Sequence, residues 1–296
     1  MPATAIDDAV RATVARITSE VVQSFDGTPD ARQRQVLSAL VTHLHAFALD
    51  VALTQSEWES GIAFLTAVGQ KCDDKRQELI LLSDVLGFSM VVDAVSEHLP
   101  IGATESTVLG PFYAAESPRR EFGDSTAEQP SGEPTWVHGV VRDLEGRPIA
   151  GAELDVWQNA DDRLYAVQNP DVPQGNLRGR FTTREDGSYG FVAVRPTDYP
   201  IPTDGPVGDL LCATGRHAWR PAHLHLIVSA PGHRTVTTHV FDSQSEHLAS
   251  DAVFAVKPSL VRTFVEHDAS DPARPPGIDG PWTSVENDVV LAPLGR

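Results

Sequence analysis

The sequence predicts an α+β protein in two parts, an N-terminal helical domain over residues 1–100 and a β-sandwich domain over residues 101–296. Three observations predict it. Apolar residues recur at intervals of three and four as far as Leu99. After Pro100 glycine and proline become frequent, and short β-rich runs alternate with turn residues. Two of the connections between those runs are too long to be hairpins, as expected where a rigid scaffold presents functional loops.

In the first part Ile6, Val10, Val14, Ile17, Val21 and Phe25 form one stripe along a helix. Thr28-Pro29-Asp30 opens a second, offering a capping hydroxyl and a proline at the first helical position, and Val36, Leu40, Val41, Leu44, Phe47 and Val51 follow. Thr54 stands three residues before Glu57, a capping-box spacing, and begins a third helix with Trp58, Ile62, Leu65 and Val68. Asp73-Asp74 starts a fourth, running through residues 79–95. These stripes exceed what one small helical layer can hide, so the helical domain is expected to dimerise.

In the second part strands are expected over residues 136–142, 153–157, 180–183, 189–194, 224–229, 235–241 and 289–291, with turns at Glu145-Gly146 and Asp186-Gly187. That pattern is a β-sandwich. The long loops are residues 158–179 and 195–221; the polar segments 115–134 and 272–281 read as surface excursions.

Composition excludes several classes. With 23 basic and 41 acidic residues the net charge is −18, and no lysine-rich block exists to neutralise a phosphate backbone, so nucleic acid is not an expected partner. Cys72 and Cys212 belong to no C-x-x-C pair and read as reduced thiols. No run is long and apolar enough to span a bilayer, and Asp7 and Asp8 stand where a signal peptide would be cationic, so a soluble cytoplasmic protein is expected.

Chemistry concentrates in Arg220-Pro221-Ala222-His223-Leu224-His225, where two histidines at i and i+2 open a strand. That spacing points both rings to one face, as a metal requires. His43 and His45 share the spacing, but on a helix it turns them apart. Taken alone, the strand pair equally describes two hydrogen-bonded histidines. A carboxylate would complete an ordinary iron(II) triad, but the only nearby candidates, Asp198 and Asp204, lie in a proline-rich loop. Tyrosine is the alternative donor. Of the four tyrosines, Tyr113, Tyr165, Tyr189 and Tyr199, two fall in the long loops, Tyr165 after Asp155-Val156-Trp157-Gln158 and Tyr199 at the head of Tyr-Pro-Ile-Pro.

These motifs, with Gly179-Arg180-Phe181 and the Asp186-Gly187 turn, resemble in order and spacing the intradiol ring-cleavage dioxygenases, over roughly residues 10 to 262. The resemblance implies one iron(III) per subunit held by Tyr165, Tyr199, His223 and His225, with Tyr113 and Tyr189 not ligands. Iron(III) is a hard cation that favours phenolate oxygen, and two phenolates with one hydroxide leave a neutral centre tolerable in a partly apolar pocket. Within the family Leu82-Ser83-Asp84, the run from Glu105 to Tyr113 and Pro202-Thr203-Asp204-Gly205-Pro206 look most like the branch that cleaves hydroxyquinol. Catechol-preferring members usually carry a nonpolar residue near Asp84 and a glutamine at the position of His239. The loop Ser243-Gln244-Ser245-Glu246-His247 also departs from the usual turn.

The resemblance therefore implies cleavage of hydroxyquinol by O2, between the two adjacent hydroxylated carbons, to hydroxymuconate or maleylacetate. In it Tyr199 is the ligand that leaves and accepts a substrate proton, while Tyr165 stays. Arg220, always protonated, is the candidate for stabilising the electron-rich ring carbon, and His239 for a hydrogen bond near the reacting oxygens. Asp84 would meet the third hydroxyl. The pocket walls would be Leu81, Val108, Leu109, Gly110, Pro111, Phe112, Ile201, Pro202 and Val253. The family further implies a homodimer with bound phospholipid. Catechol or chlorocatechol cleavage is the near alternative. From a different class, residues 139–190 alone could be a transthyretin-like binding module, which would be metal-free and colourless.

Overall fold

The computed structural model describes residues 6–73, 76–96, 99–129 and 132–295. By contacts the chain divides into two compact units, 1–67 and 68–296.

In the first unit helix α1 (Asp8–Gln23) packs on α2 (Ala31–Asp50), and the Thr18 hydroxyl lies 2.8 Å from His45 Nδ1. Asp7 caps α1 by accepting from the Val10 N–H. Asp30, not Thr28, caps α2, accepting from Arg32 and Gln33 N–H, so Pro29 precedes the cap and does not open the helix. A carboxylate adjacent to the first turn outcompetes a hydroxyl two residues back. Helix α3 (Gln55–Gln70) starts with the expected box: Glu57 N–H donates to Thr54 Oγ1 and Thr54 N–H to Glu57 Oε2.

The expected fourth helix is two, α4 (Glu78–Val85) and α5 (Phe88–Ser96), bent by 80° at Gly87, whose φ of +71° continues no α-helix. Asp73 accepts from the Arg76 N–H; Asp74 lies outside the described residues. Both helices belong by contact to the second unit, so the contact boundary falls earlier than the change of texture at Pro100. Arg216 donates to the Val85 carbonyl and Lys257 pairs with Asp93.

The strands are β1 (Pro134–Asp143), β2 (Glu153–Trp157), β3 (Arg178–Thr182), β4 (Ser188–Val194), β5 (Tyr199–Pro200), β6 (Trp219–Arg220), β7 (His223–Ser229), β8 (Val236–Asp242), β9 (Val261–Arg262), β10 (Val265–His267), β11 (Trp282–Glu286) and β12 (Val289–Leu291). One five-stranded sheet runs β10-β11-β1-β12 with β4 also on β1; the other runs β3-β2-β7-β8-β9. Their facing sides enclose a core that includes Val137, Leu154, Phe181, Phe191, Leu226 and Val240. This is the expected sandwich. The long 195–221 loop is more structured than expected: it carries helix α6 (Pro206–Ala213) and the β5-β6 ribbon. Residues 115–129 are tied to the sheets by bridges Arg119↔Arg180 and Ser125↔Val192.

Two registers position the chemistry. Along β7, Leu224, Leu226 and Val228 join the core, so His223 and His225 must share the opposite face. Across the sheet His225 stands opposite Trp157 on one side and His239 on the other. In the small ribbon Tyr199 stands opposite Arg220.

Candidate metal centre and substrate cavity

Four side chains converge where the two long loops meet β7. Tyr165 Oη is 3.0 Å and His223 Nε2 is 3.1 Å from His225 Nε2. The Tyr165 and Tyr199 rings meet edge to face at 5.3 Å, and the Tyr199 ring lies 5.6 Å from that of His223. All four residues are buried.

Each ring is held by its surroundings. His223 Nδ1 lies 2.6 Å from the Pro221 carbonyl, which can only accept, so the proton sits on Nδ1 and Nε2 keeps its lone pair. His225 is stacked on Trp157 with ring centroids 4.6 Å apart, and its Nδ1 lies 2.7 Å from His239 Nε2. With Nε2 as a ligand, the His225 Nδ1–H donates to His239; His239 Nδ1 then faces the Thr107 hydroxyl at 3.4 Å. Phe112 stacks on Tyr165 at 4.8 Å, and the Tyr165 N–H donates to Gln168 Oε1. Glycine at 110 has φ +76°, and a Cβ there would stand 3.3 Å from the His225 ring.

Burial sets the protonation states. Desolvation, with Arg220 nearby, holds His223, His225 and His239 well below the usual histidine range, which keeps the imidazoles neutral. Burial and the neighbouring Tyr199 push Tyr165 well above the usual phenol value. A cation at the convergence would reverse that and favour the phenolate. Two neutral imidazole nitrogens and two phenol oxygens, with no carboxylate, are a donor set that fits a hard trivalent iron.

Arg220 is buried and pairs with Asp251, its Nε 3.1 Å from Oδ1, while Nη1 donates to Tyr199 Oη at 3.2 Å. Asp84 on α4 is buried too, and desolvation raises its carboxyl, partly offset by a bond with Ser89 and by the charge of Arg220. A cavity of about 190 Å³ is lined by Leu81, Pro111, Phe112 and Pro202 of the expected wall, with Arg76, Glu78 and Gln168. Val108, Ile201 and Val253 are buried outside that lining, and Leu109 is exposed. A larger cavity of about 490 Å³ lies between residues 215–217 and 248–256, and neither cavity is lined by any of the four converging residues themselves.

Other candidates are placed elsewhere. Asp204 bridges Lys71 and Arg76, and Asp198 accepts from Ala222 N–H and the Ser245 hydroxyl, so neither carboxylate joins the convergence. Tyr113 reaches Asp155, and Tyr189 donates to the Asn287 carbonyl. His239 stands behind His225, its Nε2 on the Nδ1 edge of that ring. The cross-strand register dictates this, because a residue directly opposite meets its partner's flank. Asp251 and Thr107 carried no expectation. Asp251 sits in an irregular segment outside any motif, and only the fold brings it to Arg220.

Residues 108–290 match the family described as Dioxygenase, and residues 30–104 match the Catechol dioxygenase N terminus. The chain is 49% identical over 280 residues to the hydroxyquinol 1,2-dioxygenase of Nocardioides simplex, covering 94% of each. The chain belongs to the intradiol ring-cleavage dioxygenases. Among solved intradiol enzymes, the hydroxyquinol 1,2-dioxygenase of Pseudomonas putida superposes with a TM-score of 0.89 at 48% identity, covering 96% of this chain and 100% of that one. The catechol 1,2-dioxygenase of Acinetobacter radioresistens superposes at 0.85 but with 28% identity, over 97% and 94%. The shared fold thus extends to catechol enzymes, while sequence similarity is greater toward the hydroxyquinol one.

Proposed function

We propose that this dioxygenase cleaves hydroxyquinol with O2 between its two adjacent hydroxylated carbons, giving hydroxymuconate or maleylacetate, with one iron(III) per chain held by Tyr165, Tyr199, His223 and His225. The observation that carries the reading is the convergence of two phenol oxygens with two imidazole nitrogens whose opposite edges are already occupied. The chemistry that iron(III) supplies when bound is chelation of the diol and withdrawal of electron density from its ring.

The chain's own residues do the rest. Tyr199 Oη accepts a substrate proton, and the Arg220 Nη1–H at 3.2 Å steadies the oxygen in either state. Arg220 also offers a fixed positive charge to the ring carbon that becomes electron-rich. Tyr165, tied down by Phe112 and Gln168, stays in place. Leu81, Pro111, Phe112 and Pro202 enclose the ring and exclude water. Asp84 accepts a hydrogen bond from the third hydroxyl, which separates hydroxyquinol from catechol.

The chain is proposed to work as a homodimer through its helical region, with phospholipid at that interface. The free thiols Cys72 and Cys212 suit a cytoplasmic location. The deciding experiment is a visible absorption spectrum of the iron-loaded protein before and after anaerobic addition of hydroxyquinol or catechol. A tyrosinate-to-iron band that shifts with the diol is expected. A protein that stays colourless after iron(III) loading would overturn the metal assignment and favour the metal-free binding module.

A further inference from the structure

Arg220 can serve Tyr199 and the ring carbon only if its buried guanidinium is kept in one orientation. A guanidinium has five N–H donors and a permanent positive charge; with its side chain only 3% exposed it needs an anion to compensate. Among the described residues the carboxylate bonded to it is Asp251, whose Oδ1 and Oδ2 lie 3.1 and 3.5 Å from Nε and Nη2. That two-point contact fixes the guanidinium plane and leaves Nη1 aimed at Tyr199 Oη.

Asp251 is itself anchored. Its Oδ1 also accepts from Val253 N–H at 3.2 Å, and its Oδ2 from Ala255 N–H at 3.0 Å. Between these two donors Phe254 adopts φ +60°, a conformation side chains rarely take, and holds its ring half in solvent. Strain at an exposed aromatic is tolerated where the surroundings over-determine it. We infer that Asp251 is the positioning residue of the site, setting the Arg220 guanidinium so that one arm meets the oxygen of Tyr199. The inference rests on the proposed role of Arg220 in that site.

The test uses the full chain with Asp251→Asn, Arg220→Gln and the double variant. In metal-free protein the Arg220 Nε–H gives a slowly exchanging 1H–15N signal, identified by its absence from Arg220→Gln; Asp251→Asn abolishes it. This readout is independent of iron, so it stands even where the metal assignment fails. In iron-loaded protein Asp251→Asn lowers kcat for hydroxyquinol by about tenfold to a hundredfold, as loss of a supporting partner does. KM changes by less than about threefold, because binding is retained while the reacting geometry is lost. The tyrosinate band also moves. In the Arg220→Gln background the same substitution adds less than about twofold. Persistence of the Nε–H signal in Asp251→Asn, or an equal loss of kcat with and without Arg220, would overturn the inference. Should Asp251→Asn not fold, Asp251→Glu, which keeps the charge but displaces the pair, is judged by the same readouts.

Discussion

At Asp84 the cost of burial and a proposed role in substrate choice meet in one carboxyl. Burial raises its affinity for the proton, so between the ordinary carboxylate value of about 4 and its raised value the folded chain binds a proton that the unfolded chain releases. Folding stability from this group is therefore greatest at low pH and is lost as pH rises through that window. Denaturant unfolding of metal-free Asp84→Asn should show the variant gaining on the parent as pH increases, by about 1.4 kcal/mol for each unit of the shift. A constant difference from pH 4 to 7 would mean that Asp84 titrates normally. In catalysis the same residue should act in one direction: Asp84→Leu lowers kcat/KM for hydroxyquinol relative to catechol by about tenfold to a hundredfold, the loss of one buried hydrogen bond to a charged partner. An unchanged ratio would remove Asp84 from substrate choice. Tyr165→Phe deletes one of two anionic oxygens and should lower iron affinity by at least about tenfold, read by metal analysis after dialysis against a chelator.

The elements show where local sequence was enough and where it was not. His223 and His225 were legible because a strand has period two, and their core-facing neighbours Leu224 and Leu226 confirm the face they occupy. The row Trp157–His225–His239 was not, since cross-strand register depends on turns and bulges far from any of the three. Asp251 was hidden for the same reason: its partner is 31 residues away, and Asp251 itself lies in an irregular segment with no pattern to point to it. The break between α4 and α5 was marked only by Gly87 in an otherwise apolar run, which a helical period absorbs without trace. That glycine makes an element-scale prediction. Gly87→Ala forces a side chain into φ +71° with its Cβ 3.3 Å from the Phe254 ring, and should cost about 1–2 kcal/mol of stability in denaturant unfolding. A neutral substitution would show that the bend does not depend on the left-handed conformation.

At the scale of the whole molecule, charge and apolar exposure pull in opposite directions. A chain of net charge −18 repels its copies, yet the helical region leaves one exposed apolar stripe on each helix. On α2 the stripe is Val36, Leu40, Leu44 and Phe47, and on α3 it is Trp58, Ile62 and Leu65, all about half exposed. Such spacing marks a face built for burial, and patches of this extent on a soluble chain mark an interface. The periodicity makes the stripes themselves legible from sequence, and the proposed cover is a second copy of the chain. Sedimentation equilibrium should therefore give twice the chain mass at micromolar concentration. Leu44→Glu and Phe47→Glu together place two carboxylates in the stripe and should shift the equilibrium to monomer by weakening association at least about a hundredfold, since each buried charge lacks a partner. The proposed iron ligands lie in the second unit, so the tyrosinate band should survive in the monomer. A parent chain that sediments as a monomer at tens of micromolar would show that the stripes are covered by something other than a second copy.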